Sequence, residues 1–309
     1  VKTSTSVTEI NPQNSTIRID DREDLSFEHL LIATGSRVRK INVSGSELNN
    51  IHYLRTIEDV DKIRSGMAKD KELVIVGGGY IGLEVAAIAT QAGMNVRVLE
   101  TEDRVLQRVT TPTMSNYYTL LHEKRGVRIH TKTRVIGFEG ESSVERVICE
   151  NDVFDADLVI VGIGIIPNSE LAEKAGIACE NGITVDERCQ TSIPQIYAAG
   201  DCTNHPNPLL NRRLRLESVP NAMEQARVCA SNMVGKDKIY SSIPWFWSDQ
   251  YELKLQMVGF SSDGDSEIIR GDMDANQFSV FHVKENKVMA TDSVNSPKDF
   301  MICKQLIGK

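Results

Sequence analysis

A glycine-rich turn between an apolar run and a segment of small residues constrains this chain more than any other feature of its sequence. Residues 73–76 read LVIV, which predicts a buried strand, and Gly77, Gly79 and Gly82 follow in a GxGxxG pattern. The small-residue segment predicts a helix, and the next apolar segment predicts a second strand that ends at Glu100. A strand, a tight turn and a helix leading to another strand form a βαβ unit. The sequence therefore predicts an α/β domain that binds a dinucleotide.

Each glycine of this pattern has its own task in dinucleotide binding. Gly77 permits the tight turn, Gly79 lets the backbone approach a pyrophosphate, and Gly82 allows close packing of helix on strand. The helix N-terminus then presents free N–H groups and its positive dipole end to the phosphates.

The predicted nucleotide is NADH. Glu100 lies roughly 20 positions after Gly79, where a carboxylate accepts the adenosine ribose hydroxyls and repels a 2′-phosphate. Three arginines near this carboxylate in sequence leave NADPH as a minority alternative: Arg97, Arg104 and Arg108.

Length and composition limit the remaining possibilities. A chain of 309 residues is long enough for two or three packed domains, and a hydrophobic content of 40% with 25% charged residues is ordinary for a globular protein. The formal net charge of -8 argues against nucleic-acid binding, which needs an excess of Lys and Arg. No run approaches the roughly 18 apolar residues that span a bilayer, so we expect no membrane association and a cytoplasmic location. The six cysteines are scattered, without the close pairs of a zinc or redox site, and no metal site is expected.

Other apolar segments predict the rest of the architecture. Residues 30–33 and 196–199 predict two buried strands, which end at the similar turns Thr34-Gly35 and Gly200-Asp201. A hairpin is predicted at the start, with strands in residues 1–10 and 16–20. Beyond residue 243 the pattern changes to strands, a tight turn at Glu285-Asn286 and a final helix that Ser296-Pro297 opens, which together indicate a small α+β domain.

These motifs together resemble the flavoprotein reductases that have two dinucleotide-binding domains. The resemblance narrows at residues 213–222, RLRLESVPNA, and at residues 244–251, PWFWSDQY, which are similar to the ferredoxin reductases of oxygenase systems. These include the putidaredoxin, rubredoxin and dioxygenase reductases. The implied fold is α/β, with two Rossmann-like domains of the glutathione-reductase type, the first incomplete, and a small α+β C-terminal domain.

The resemblance also implies how these domains divide the chain. The FAD-binding domain comprises residues 1–44 and 175–242, the NADH-binding domain residues 45–174, and the C-terminal domain residues 243–309. Only one GxGxxG pattern is present, although this family uses a second, N-terminal pattern for FAD. We therefore expect an N-terminally truncated chain, which covers about three quarters of the family's length.

The implied activity is electron transfer from NADH through FAD to a [2Fe–2S] ferredoxin or a rubredoxin. Two alternatives stay open. The first is a related NADH oxidase or nitrite-reductase component, and the second is a non-catalytic NADH-binding module.

The resemblance also assigns roles to individual residues. Glu84, expected in the first turn of the glycine-rich helix, and Trp247 are the implied catalytic residues. Arg39 follows Val38, where the family usually has a proline, and the basic cluster of Arg212, Arg213 and Arg215 is a candidate surface for an acidic ferredoxin. The implied cofactor-binding residues also include position 163, where Ile163 stands between two glycines, and the full set is Gly77, Gly79, Tyr80, Ile81, Gly82, Glu100, Arg104, Ile163, Thr34, Gly35, Arg39, Asp201, Val219 and Trp247.

Overall fold

The polypeptide folds into two structural units, each built from two separate stretches of the chain. In this computed structural model, which describes residues 1–307, the first unit comprises Val1–Arg37 and Ile166–Phe246. The second unit comprises Val38–Ile165 and Trp247–Ile307. The three-domain division made from the sequence stays a prediction, and its last two residues, Gly308 and Lys309, lie outside the described residues.

The secondary structure is mixed and contains more strand segments than helices. The helices are α1 (Ile57–Gly66), α2 (Tyr80–Gln91), α3 (Pro112–Lys124), α4 (Glu170–Lys174), α5 (Val219–Met233) and α6 (Pro297–Leu306). The strands are β1 (Val7–Asn11), β2 (Thr16–Ile19), β3 (Glu23–Ser26), β4 (Leu30–Ile32), β5 (Ser36–Val38), β6 (Ile51–Tyr53), β7 (Glu72–Val76), β8 (Asn95–Leu99), β9 (Arg128–His130), β10 (Val135–Glu139), β11 (Arg146–Cys149), β12 (Val153–Asp155), β13 (Leu158–Val161), β14 (Ile165–Pro167), β15 (Ile183–Thr184), β16 (Ile196–Ala198), β17 (Thr203–Asn207), β18 (Arg212–Leu214), β19 (Trp245–Gln250), β20 (Leu253–Gly259), β21 (Ser266–Asp272), β22 (Gln277–Lys284) and β23 (Lys287–Val294). No helix within residues 1–307 is long and apolar enough to cross a membrane.

The first unit brings together the two strands that end alike in the sequence. Strand β4 pairs in parallel with β16, so that Ile32 lies opposite Ala198. The buried side chains of Ile32, Ile196 and Ala198 join one apolar core cluster. Because paired parallel strands end at the same edge, the turns after β4 and β16 meet there. Gly35 and Gly200 take left-handed φ angles of 62° and 87° in these turns.

The part of the second unit that contains the glycine-rich turn is a five-stranded parallel sheet in the order β6-β13-β7-β8-β9. The central strand β7 is apolar because both of its faces are covered, and Leu73, Val74 and Ile75 are fully buried. From β7 the chain runs through α2 to β8 on one side, whereas β13 lies on the other side. The carboxyl end of β7 is therefore the point where strand order reverses, which is where open α/β sheets bind ligands.

The C-terminal part of the second unit is a five-stranded sheet in the order β19-β20-β23-β22-β21. Strands β22 and β23 form a hairpin whose turn residues, Glu285 and Asn286, have φ angles of 50° and 61°. Positive φ at both positions suits the right-handed twist of the paired strands. Helix α6 follows β23 and begins at Pro297.

The predicted fold class and the start of α6 at Ser296-Pro297 are confirmed, and the predicted start of the first strand is wrong. The first strand begins at Val7 rather than at residue 1, because the polar residues before it offer no apolar face to bury. Ser296 occupies the N-cap position of α6, but its side chain makes no capping hydrogen bond. Strand β3 was not predicted, since its sequence EDLS is mostly polar and it forms by pairing with β2.

Candidate functional site

The glycine-rich turn has the close packing that its sequence predicts. Gly77 has a φ angle of 112°, and a Cβ atom there would lie 2.4 Å from the Gly162 carbonyl oxygen. A Cβ atom on Gly82 would lie 2.2 Å from the Gly77 carbonyl oxygen. Both positions therefore exclude any side chain.

Gly79 differs from its two neighbours in the pattern. It is the N-cap of α2, and no other atom lies within 4 Å of the place where its Cβ would be. Open space therefore faces the N-terminus of a 12-residue helix. A pyrophosphate fits this cradle, because the backbone N–H groups and the helix dipole both favour an anion there.

Glu100 follows β8 and lies beside this turn. Its Oε2 accepts a hydrogen bond from the Gly78 N–H at 2.8 Å, and its Oε1 accepts one from the Glu102 N–H at 3.0 Å. The backbone therefore holds the carboxylate at the carboxyl end of β8, where an adenosine ribose fits a dinucleotide bound at Gly79.

Two of the three arginines near Glu100 have partners within the protein. Arg97 forms an ion pair with Glu72 and lies over the ring of Phe154. Arg104 donates to the Ser115 hydroxyl and, at 3.2 Å, to the Gln107 carbonyl, and burial lowers the pKa of its guanidinium. Arg108 is exposed.

Three further predicted nucleotide-binding residues lie around the carboxyl end of β7. Tyr80 begins α2 and donates its hydroxyl to the Met257 sulfur at 2.8 Å, and burial raises its pKa well above 10. Ile81 is 48% exposed on the first turn of α2. Ile163 is half-buried and packs on the core beside Val161.

Glu84 lies in the second turn of α2, because the helix begins at Tyr80, and the expected first-turn position is wrong. Its Oε1 accepts a hydrogen bond of 2.5 Å from the Ser248 hydroxyl of β19. Burial and the nearby Asp249 carboxylate raise the pKa of Glu84, and the Ser248 hydrogen bond opposes them. Carboxyl groups with raised pKa values are common at functional sites.

The sequence did not predict the residues that extend the hydrogen-bond network beyond Ser248. Gln250 contacts Ser248, His122 of α3 contacts Gln250, and Tyr251 contacts His122. A single histidine in the last turn of a helix carries no sequence signal of this kind. Trp247, the other implied catalytic residue, is 37% exposed and comes directly before Ser248 in β19.

The first unit assembles the predicted FAD-binding turns into one cluster. The Thr34 hydroxyl donates to the Asn168 carbonyl at 2.6 Å, and the Asn168 amide donates to the Thr34 carbonyl at 2.9 Å. The Ser36 hydroxyl donates to Asp201 Oδ2 at 2.9 Å, which connects the turn after β4 with the turn after β16. Ser36 and Asn168 were not predicted, because their partners are far away in the sequence.

The N-terminus of α5 lies at the same cluster. The Gly200 N–H donates to Gln225 Oε1 of α5 at 2.8 Å, and Ser218 caps the helix by accepting from the Asn221 N–H at 3.3 Å. Val219, the first residue of α5, is 57% exposed. An acidic side chain, two tight turns and a helix N-terminus therefore converge, and these groups fit the ribityl chain and the flavin end of FAD.

The remaining predicted residues are basic. Arg39 is exposed, and its backbone N–H donates to the Gly164 carbonyl at 2.9 Å. In the basic cluster, Arg213 donates to the Asn204 side chain at 3.0 Å, and Arg215 forms an ion pair of 2.7 Å with Glu217. These two guanidinium groups are thus oriented by contacts inside the first unit.

Comparisons with known proteins agree with this geometry. Residues 1–226 match the family model described as pyridine nucleotide-disulphide oxidoreductase, and residues 245–309 match the model described as reductase C-terminal.

The relatives match the chain almost end to end. Putidaredoxin reductase CamA of Pseudomonas putida is 47% identical over 98% of this chain and 74% of its own length. Rhodocoxin reductase of Rhodococcus erythropolis is 39% identical over 98% of this chain and 71% of its own length. A crystal structure of the covalent putidaredoxin reductase–putidaredoxin complex superimposes with a TM-score of 0.95 at 47% identity, over 98% of this chain and 75% of the solved chain.

Proposed function

The chain belongs to the pyridine nucleotide-disulphide oxidoreductase family and, within it, to the ferredoxin reductases, and from this premise we propose that it passes electrons from NADH through FAD to a [2Fe–2S] ferredoxin or a rubredoxin. The relatives are named for the same reaction class, and the similar solved structure holds a reductase together with its putidaredoxin.

The single observation that carries this proposal is the position of Glu84. It lies one helical turn beyond the N-terminus of α2, so the helix that receives the pyrophosphate also holds this carboxylate. The 2.5 Å hydrogen bond from Ser248 joins it to the strand that carries Trp247. We assign Glu84 to the nicotinamide end of the nucleotide and Glu100 to the adenosine end.

The first unit is the proposed FAD-binding part of the chain. When FAD is bound, Asp201 would hold its ribityl chain, and the turn at Thr34 and Gly35 and the N-terminus of α5 with Val219 would hold its flavin end. When bound, FAD accepts two electrons from NADH and releases them singly. Ser36 orients the Asp201 carboxylate for this contact.

The acceptor is an acidic electron-transfer protein, and Trp247 of the second unit is a candidate anchor for it. Exposed tryptophans are frequent anchors at protein interfaces because they bury a large area on binding. The orientation of Arg213 and Arg215 by internal contacts gives the basic cluster a fixed geometry, and fixed positive charges steer an acidic partner. We also propose that the protein is cytoplasmic.

The experiment that tests this function follows the absorbance of the 309-residue chain after incubation with FAD. NADH added under argon should bleach the bound-flavin band, and a [2Fe–2S] ferredoxin should then restore it rapidly. Rapid NADH consumption in air without ferredoxin would instead assign the chain to the oxidases.

A matched variant separates cofactor loss from folding failure. Asp201→Asn removes one charge while keeping the shape of the side chain, and it should weaken FAD retention while NADH still binds to the second unit. If the unmodified chain and Asp201→Asn retain FAD equally well, Asp201 does not bind the flavin cofactor.

A further inference from the structure

A chain of hydrogen bonds joins Glu84 to the half-exposed residue Tyr251. Ser248 Oγ lies 2.5 Å from Glu84 Oε1, and Gln250 Nε2 lies 3.1 Å from Ser248 Oγ. His122 Nε2 lies 2.9 Å from Gln250 Oε1, and the Tyr251 hydroxyl lies 3.0 Å from His122 Nδ1. Three segments that are far apart in the sequence therefore build one polar path inside the second unit.

The chemistry of the groups fixes the direction of every bond in this path while Glu84 is ionised. A carboxylate only accepts, so Ser248 gives its one proton to Glu84 and must itself accept from the Gln250 amide. The Gln250 carbonyl oxygen then faces His122 and only accepts, which requires the proton on His122 Nε2.

The last bond of the path follows from the neutral state of His122. Burial lowers the pKa of this imidazole, so Nδ1 carries no proton and accepts from the Tyr251 hydroxyl. All four donors therefore point toward Glu84.

The middle of the path is closed to water. His122 and Gln250 are 0% exposed, and Ser248 is 1% exposed. Solvent cannot replace a lost partner there, and polar groups left unpaired in a protein interior are costly. The orientation of each group is thus set by its protein neighbours.

We propose that Ser248, Gln250, His122 and Tyr251 are positioning residues that hold the Glu84 carboxylate in one orientation and favour its ionised form. The inference rests on the proposed function only in taking Glu84 as the group that meets the nicotinamide. Ser248 acts directly on the carboxylate, and the other three act through Ser248.

Other features around Glu84 oppose its ionisation, and the path of donors acts against them. Burial raises the pKa of Glu84 most, and Asp249 of β19 adds a like charge, although the Asp249 backbone N–H favours the carboxylate. Glu84 in turn helps to raise the pKa values of Tyr80 and Tyr118. At the far end, Arg125 lies 4.4 Å from the Tyr251 ring and disfavours a charged His122. The Ser248 hydroxyl, at the end of the donor chain, is therefore the side chain that favours the anion most.

The first test is the tautomer of His122 in the unmodified 309-residue chain. Long-range ¹H–¹⁵N spectra of protein labelled in histidine distinguish the two neutral forms, and a His122→Gln sample identifies the signal. We expect the proton on Nε2 at neutral pH. A proton on Nδ1 would reverse the path and overturn the proposal.

The second test measures the acid dissociation constant of Glu84 by ¹³C NMR in protein labelled with [δ-¹³C]glutamate. The Glu84 signal is the one that is absent from the Glu84→Gln variant. Ser248→Ala should lower that constant roughly tenfold, because hydrogen bonds to charged groups are among the strongest in proteins. Ser248→Thr keeps the hydroxyl and should stay close to the unmodified chain. Tyr251→Phe should give a smaller change in the same direction.

A matched control separates this effect from general loss of packing. Ser279 is 0% exposed in the same sheet, and its hydroxyl bonds Ser293 rather than the path. Ser279→Ala should leave the Glu84 constant unchanged, whereas equal shifts in Ser248→Ala and Ser279→Ala would overturn the proposal.

These spectra need no FAD, NADH or acceptor protein. A chain that fails to reduce ferredoxin can still pass both tests, so failure of the proposed function and failure of the path are distinguishable.

Discussion

The glycine-rich turn belongs to the same unit as Glu84 and the hydrogen-bonded residues Ser248, Gln250 and His122, here called the Glu84 cluster. The turn and the cluster meet on helix α2, yet they are built in different ways. The turn is made of backbone from one short segment, with Gly77 and Gly82 in contact. The cluster is made of side chains from α2, α3 and β19, which are more than 100 positions apart in places. Backbone sites are therefore fixed by local sequence, whereas side-chain sites depend on how remote segments pack.

The largest effect is expected when a side chain is added to a glycine position of the turn. Gly82→Val would force a Cβ atom to within 2.2 Å of the Gly77 carbonyl, where only backbone could move. We expect a loss of about 3 kcal/mol in the free energy of unfolding, at the upper end of the cost of overpacking. Urea titration measures this loss, and NADH binding should disappear with it.

Gly79→Ala is the matched variant of that experiment. Its methyl group meets no atom within 4 Å, and its backbone angles suit any residue. The free energy of unfolding should change by less than about 0.5 kcal/mol, while the methyl group occupies the space assigned to the pyrophosphate and weakens NADH binding. Unchanged NADH binding would contradict that assignment.

The next largest effect is expected at Glu100, where backbone and side chain both contribute. Glu100→Ala removes the carboxylate that accepts from the Gly78 N–H and, in the proposal, from the ribose. NADH affinity measured by calorimetry should fall by about 1 to 3 kcal/mol, which is the scale of hydrogen bonds to charged groups. Asp103→Ala, which changes an exposed carboxylate nearby, is the control, and an equal loss there would point to net charge alone.

A smaller effect is expected on the outer face of β19. Trp247→Ala should raise the Michaelis constant for ferredoxin by roughly tenfold, because tryptophan anchors carry a large share of interface energy. The rate of anaerobic flavin reduction by NADH, measured in the same variant, shows whether Trp247 also contributes to the flavin site. Ile268→Ala removes another exposed apolar side chain of the same sheet and should leave both quantities unchanged.

The smallest effect is a pH dependence of stability. Because burial raises the pKa of Glu84, the folded protein holds this proton more tightly than the unfolded chain does. Its contribution to the free energy of unfolding therefore falls as pH rises from the ordinary value of 4.5 through the folded pKa, and it is constant above that. Glu84→Gln should gain stability relative to the unmodified chain over that interval.

Urea titrations at several pH values measure this gain. Glu123→Gln changes an exposed carboxylate of α3 and serves as the reference. A gain of the same size in the reference variant would assign the effect to net charge.

The sequence predicts the parallel sheet, the glycine-rich turn and Glu100 because apolar runs and glycine spacing report directly on backbone geometry. It does not predict that Ser36 meets Asp201 or that His122 meets Gln250. These pairs lie 165 and 128 positions apart, and nothing in a lone Ser or His indicates its partner. The predicted start of α2 is accurate enough to locate the glycine-rich turn. It is not accurate enough to show that Glu84 lies in the second turn of the helix. The roles assigned to individual residues stay predictions.

Strand β19 has a consequence for how such a reductase changes over evolution. Its residues alternate, with Trp247 and Asp249 exposed while Ser248 and Gln250 are buried. A library that varies only the two outward positions would remodel the surface and the charge near Glu84 while keeping the buried side chains of Ser248 and Gln250. Insertion or deletion of a single residue in this strand would exchange the two sets, so lineages can diversify here by substitution but not by changes of length.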